Sequence, residues 1–110
     1  MINWTRVAEL RSDIGADGFD EVVGLFLDEV VGEIERLRAG CPDTDLERKL
    51  HFLKGCGLNM GFHQFAALCK QGEAAAKRGD HHLVDLRGAL ISFDNSRIAF
   101  LRGLRQMAAT

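Results

Sequence analysis

The stretch Leu46-Glu47-Arg48-Lys49-Leu50-His51-Phe52-Leu53-Lys54-Gly55-Cys56-Gly57-Leu58-Asn59-Met60-Gly61 decides the fold of this chain. Leu46, Leu50, Leu53, Gly57 and Met60 recur at steps of four, three, four and three, which is the inward stripe of an amphipathic helix. Asp43 or Thr44 is placed to cap that helix, with Glu47 three residues after Thr44 in capping-box position. Gly61 marks its end.

Reading outward, the same periodicity covers nearly the whole sequence. A short leading helix, roughly Trp4 to Ile14, carries Trp4, Val7, Leu10 and Ile14, and Gly15 and Gly18 then interrupt it. A second helix is expected from Phe19 or Asp20, with Phe19, Val23, Phe26, Val30, Ile34 and Leu37 on one face. The run Ala39-Gly40-Cys41-Pro42 stops it, because proline cannot continue the hydrogen-bond ladder. After Gly61, Phe62, Phe65, Cys69, Gly72 and Ala76 define a fourth helix, closed by Gly79-Asp80. A last helix is expected from about His82 to Met107, with Leu83, Leu86, Leu90, Phe93, Phe100 and Leu104 inward. Short connections make sequential helices antiparallel. The expected fold is therefore all-α: one domain over residues 1–110, an antiparallel up-down four-helix bundle with a short additional N-terminal helix.

Composition narrows the function classes. Apolar residues make up 46% and charged residues 27%, as in an ordinary globular domain, and the net charge is only -2. Such a balance argues against a protein whose affinity comes from neutralising many nucleic-acid phosphates, though not against a local patch. The cysteines Cys41, Cys56 and Cys69 form no C-x-x-C pair, which fits a reducing compartment. The N-terminus lacks a signal-peptide core, and no apolar run is long enough to cross a bilayer. A cytoplasmic protein is expected.

Chemistry concentrates around His51. With Leu50, Leu53, Gly57 and Met60 inward, His51 falls at the edge or outside of the stripe. Lys54 and Gly55 lie three and four residues on and share its surface, with Leu58 further along. Two glycines inside a helix each cost about 1 kcal/mol relative to alanine. Stability alone would not select them. Gly57, on the core stripe, permits close helix approach. Gly55, beside His51, leaves the imidazole uncovered for another molecule. Lys54 puts a cation within reach of an anion carried on that imidazole. A neutral, accessible histidine is a competent nucleophile, and a neighbouring lysine can stabilise phosphoryl oxygens.

The segment His51-Phe52-Leu53-Lys54-Gly55-Cys56, with Gly61 ten residues after the histidine, resembles the H-x-L-K-G-[small] signature of the histidine-phosphotransfer family of two-component phosphorelays. The resemblance extends in layout over roughly residues 5 to 105, although the specific motif is confined to His51–Gly61. It implies a four-helix bundle whose exposed histidine exchanges a phosphoryl group with the aspartate of receiver domains. His51 would be the phosphorylated residue, Lys54 its electrostatic support and Gly55 the steric clearance. Leu58 would belong to an apolar docking patch, and Gly61 to the partner-facing set. Gln64, expected near the same level on the next helix, would hydrogen-bond close to the histidine. The implied partners are response-regulator receivers and a hybrid histidine kinase, with no nucleic acid, no membrane and a monomeric state. The Mg²⁺ of the reaction would belong to the receiver, leaving this chain without a cofactor of its own. Nothing in the sequence resembles an ATP-binding region, so the chain should be a phosphocarrier without kinase activity. Cys56 stands where the family often has serine or alanine, and Leu58 is bulkier than the common residue.

Two other functions compete. A non-catalytic bundle could bind and regulate a receiver or kinase, but the pairing of His51 with Lys54 speaks against it. A metal site could draw on His63, His81, His82 and Cys69. However, adjacent His81 and His82 cannot face one way on a helix, and no H-x-x-x-H pair exists.

Overall fold

The computed structural model describes residues 2–109, with side chains described as far as Met107. Five helices follow one another: α1 (Trp4–Ile14), α2 (Ala16–Ala39), α3 (Asp43–Met60), α4 (His63–Lys77) and α5 (Leu86–Ala109). A short 3₁₀ turn, His81–Leu83, separates the last two. No strand occurs among the described residues.

Neighbouring long helices run antiparallel, as side-chain pairs along three of the seams show. Between α2 and α3, Glu33 meets Lys49, while Val23 and Phe26 lie beside Asn59 and Met60. Between α3 and α4, Leu50 sits by Gly72, and Gly57 sits by Phe65 and Ala66. Arg38 on α2 reaches Asp94 on α5, and Leu27 shares a groove with Leu101. The result is a rod of 47 × 21 × 21 Å. Its core contains the predicted stripes: Phe19, Val23, Val30, Ile34 and Leu37 from α2, Leu46, Leu50, Leu53 and Met60 from α3, and Phe65 and Cys69 from α4. Phe93 and Phe100 of α5 complete it.

Three boundaries differ from the sequence reading. Helix α2 starts at Ala16 rather than Phe19, because the break is made at Gly15 alone (φ 97°) and Gly18 is absorbed into the helix. Helix α3 starts at Asp43, and Pro42 occupies its cap position without a side-chain hydrogen bond. Asp43 and Thr44 therefore lie inside the first turn, where Asp43 and Asp45 favour the positive end of the helix dipole. Helix α5 starts at Leu86, not His82. There Asp85 accepts the Gly88 backbone N–H at 2.9 Å, an N-cap bond that separates α5 from the 3₁₀ turn.

The α3–α4 corner is fastened by α1. Gly61 ends α3 in the left-handed conformation (φ 78°), and its N–H donates to Leu58 O. Its own carbonyl accepts the Asn3 N–H at 2.7 Å. Below the corner, Phe62 is fully buried and meets Phe100 edge-on at 5.4 Å, while Trp4 stacks on the other side of Phe100 at 6.1 Å. A Cβ at position 61 would approach Asn3 O to 2.6 Å. Gly61→Ala should therefore lower unfolding stability by about 1–3 kcal/mol from backbone strain alone, measured by urea denaturation. An unchanged midpoint would show that the corner relaxes freely.

Candidate functional site

Helix α3 delivers His51 to the surface because its two neighbours, Leu50 and Leu53, are committed to the core. Both leucines are 1% exposed, whereas the His51 side chain is 71% exposed. Three residues on, Lys54 turns toward α4 and is mostly covered. Gly55 is different from every packing glycine in the bundle: a Cβ added there would meet nothing within 4 Å. The fold does not need glycine at that position. At Gly57 the same added atom would lie 3.0 Å from the Phe65 ring, so this glycine serves the close approach of α3 to α4.

That close approach brings in a residue that the sequence reading missed. Gly72 of α4 packs under Leu50, and the next residue, Glu73, therefore arrives beside His51. His51 Nδ1–H donates to both Glu73 carboxylate oxygens at 3.1 Å, and Lys54 Nζ donates to Oε1 at 3.0 Å. A carboxylate only accepts, so the imidazole proton resides on Nδ1 and the lone pair on Nε2. Among the described residues, none engages Nε2. Burial alone would raise the Glu73 carboxyl, but the hydrogen bonds from His51 and Lys54, and the Lys54 charge, outweigh it and hold its pKa below the ordinary glutamate value. Glu73 is thus ionised at neutral pH. The one sequence cue is that it is the single charged residue in the small-residue run Gly72-Glu73-Ala74-Ala75-Ala76.

Gln64 was expected at the level of His51 and is not there. It sits in the first turn of α4, nine residues before Glu73, or about 13 Å along the helix axis at 1.5 Å per residue. The antiparallel register places it opposite the C-terminal end of α3. Gly61 is corrected as well. It is buried beneath Asn3 and offers no surface to a partner, so its role is to close the corner. Leu58 does lie outside, 55% exposed, and Phe52, which the sequence reading passed over, is 41% exposed on the same helix. His51, Phe52, Gly55 and Leu58 form one outward strip of α3. Leu27 is buried in the core and Val31 packs against it.

The alternative metal set does not assemble. His63 begins α4, whereas His81 and His82 follow its far end, and Cys69 is completely buried. Among the described residues, no group of three or more His, Cys, Asp or Glu is placed to hold a metal ion. Burial pushes the Cys56 thiol up to about 11, and burial together with Cys56 and Glu73 pushes Cys69 up to about 12. Both remain protonated at neutral pH. No described helix is long and apolar enough to cross a membrane.

One helix of the bundle thus carries an uncovered histidine whose Nδ1 is held by a carboxylate and whose Nε2 has no partner among the described residues. The family model of the Hpt domain matches residues 21–109, and the chain belongs to that family. Hpt domains serve histidine phosphotransfer in two-component phosphorelays as phosphocarrier modules rather than kinases. No curated protein and no solved structure matched the chain.

Two outcomes follow from this geometry. Gly55→Ala should leave the fold intact and stabilise it by up to about 1 kcal/mol, the helix-propensity difference; destabilisation would reveal a packing role for Gly55. Because the Glu73 pKa is depressed in the folded state, its contribution to stability is present above the ordinary glutamate pKa and is lost as pH falls through the lower, folded value. Denaturation curves of wild type and Glu73→Gln should differ near neutral pH and converge over that acid window. A gap that stays constant from neutral to strongly acidic pH would contradict the ionised carboxylate.

Proposed function

We propose that this chain carries a phosphoryl group on Nε2 of His51, exchanging it with the aspartate of response-regulator receiver domains supplied by a hybrid histidine kinase. The observation that carries this reading is the division of labour on the imidazole. Glu73 occupies Nδ1, no described residue engages Nε2, and an added Cβ at Gly55, one turn on, would meet nothing within 4 Å.

In the forward step the Nε2 lone pair attacks the phosphorus of the receiver's aspartyl phosphate. An N–P bond forms, the Asp O–P bond breaks, and its electron pair returns to the receiver's carboxylate. The imidazole keeps its Nδ1 proton throughout, so the ring becomes cationic as the N–P bond forms. Glu73 stabilises that cation from the opposite edge, as an orienting carboxylate does for a histidine base. Lys54, which shares Oε1 with His51, would turn its ammonium from Glu73 toward the equatorial phosphoryl oxygens. The step is reversible because the ring is an acceptable leaving group while it is protonated at Nδ1. Leu58 and Phe52 supply apolar docking surface on either side of Gly55, and Gln64 would contact a partner only at the distant end of α4. We place the Mg²⁺ in the receiver's acidic pocket.

Acid-labile, base-stable phosphate incorporation from a phosphorylated receiver tests the reading. Wild type should be labelled and His51→Gln should not, with helicity unchanged. Lys54→Ala should slow transfer without removing it, through the loss of one charge-stabilising contact, and Gly55→Gln should block it by bulk. Absence of labelling from a broad receiver panel, with binding retained, would favour a non-catalytic interaction module instead. Normal transfer by Gly55→Gln would remove the clearance argument.

A further inference from the structure

A second apolar stripe lies on the far side of the bundle from His51. His51 stands over the α3–α4 seam, and the diagonally opposite seam is formed by α2 and α5. Along α5, Ile91, Ile98 and Leu101 are 50%, 49% and 41% exposed. With Asp94 and Arg105 they form a run at steps of three, four, three and four, the spacing of a coiled-coil seam without its partner helix. The stripe is not isolated. Leu101 and Arg105 border a groove whose α2 wall holds Asp20, Gly24 and Leu27, and a Cβ added at Gly24 would meet nothing within 4 Å. Exposed apolar surface that is contiguous and rimmed by charge marks an interaction site.

The charges say what fits. An identical helix laid antiparallel across the stripe, with the two-fold axis passing between Ala99 and Phe100, sets Ile98 against Leu101 of the second copy. The same register sets Asp94 against Arg105 of the second copy, and symmetry repeats both pairs. A parallel arrangement would oppose Asp94 to Asp94 and Arg105 to Arg105. Asp94 has capacity for the new contact, since Arg38 takes its Oδ2 at 3.3 Å and leaves Oδ1. We propose that the α5 stripe is a homodimer seam in which α5 packs antiparallel on α5 of a second copy of this chain. The sequence reading expected a monomer. The dimer leaves both His51 faces pointing outward, so each copy remains open to a receiver. Self-association of this kind is isologous, one patch used twice.

Sedimentation velocity from low micromolar to several hundred micromolar tests the seam. Wild type should move from monomer to dimer over that range. Ile98→Glu replaces a half-exposed side chain and should keep native circular dichroism while weakening the dimer at least tenfold. Arg105→Asp opposes two carboxylates and should weaken it as well. Leu83→Glu, at an exposed leucine off the stripe, should leave the dimer unchanged. A wild type that stays monomeric throughout would overturn the proposal and assign the stripe to a different protein. So would a dimer that survives Ile98→Glu, or one that Leu83→Glu dissolves equally. Normal association of Arg105→Asp would overturn the antiparallel register.

Discussion

The packing of α3 against α4 is the constraint from which the site follows. Gly57 lets the Phe65 ring come to where an added Cβ would lie 3.0 Å from it, and Gly72 receives the side chain of Leu50, the residue before His51. These two glycines lock the register between the helices. Register then determines chemistry, because a shift of one residue on α4 would carry Glu73 away from the imidazole. The loss of helix propensity at Gly57, about 1 kcal/mol, is offset by ring contact that forms only at this separation. Packing energy is thereby converted into the position of a charged group.

Electrostatics at the site depend on that position. Glu73 is mostly covered and would be costly as an unpaired carboxylate, but Lys54 and His51 both donate to it. The carboxylate in turn fixes which imidazole nitrogen carries the proton. Lys54 is thus held by an internal partner that it shares with His51. A cation held loosely at a surface would lose much of its effect to solvent screening, whereas this one is partly buried and fixed against Glu73. Gly55 completes the arrangement by adding nothing, leaving the ring accessible from the outward strip of α3.

Much of this was legible in the sequence. The 3.6-residue periodicity identified the five helices and most of the core, and it placed His51 outside the core stripe with Lys54 and Gly55 near it, because these relations are local to one helix. The misses share a cause. Glu73 was missed and Gln64 misplaced because the level of a residue on α4 depends on how deeply Gly57 and Gly72 let two helices approach, which is tertiary information. The starts of α2 and α3 were displaced because caps depend on single backbone conformations: Gly15 at positive φ breaks the chain, whereas Gly18 does not. Asp85 accepted the cap bond that divides the last segment, a contact that the apolar pattern through Leu83 and Leu86 concealed. Gly61 was recognised as a break, but its burial beneath Asn3 depends on where α1 lies.

The central claim is that Glu73 reserves Nδ1 of His51 and leaves Nε2 to react. Nitrogen-15 and phosphorus-31 NMR of the ¹⁵N-histidine-labelled, phosphorylated chain reads this directly. Phosphorus should couple to Nε2 of His51, with the Nδ1 proton retained. Phosphorus on Nδ1, or on His63, His81 or His82, would contradict it.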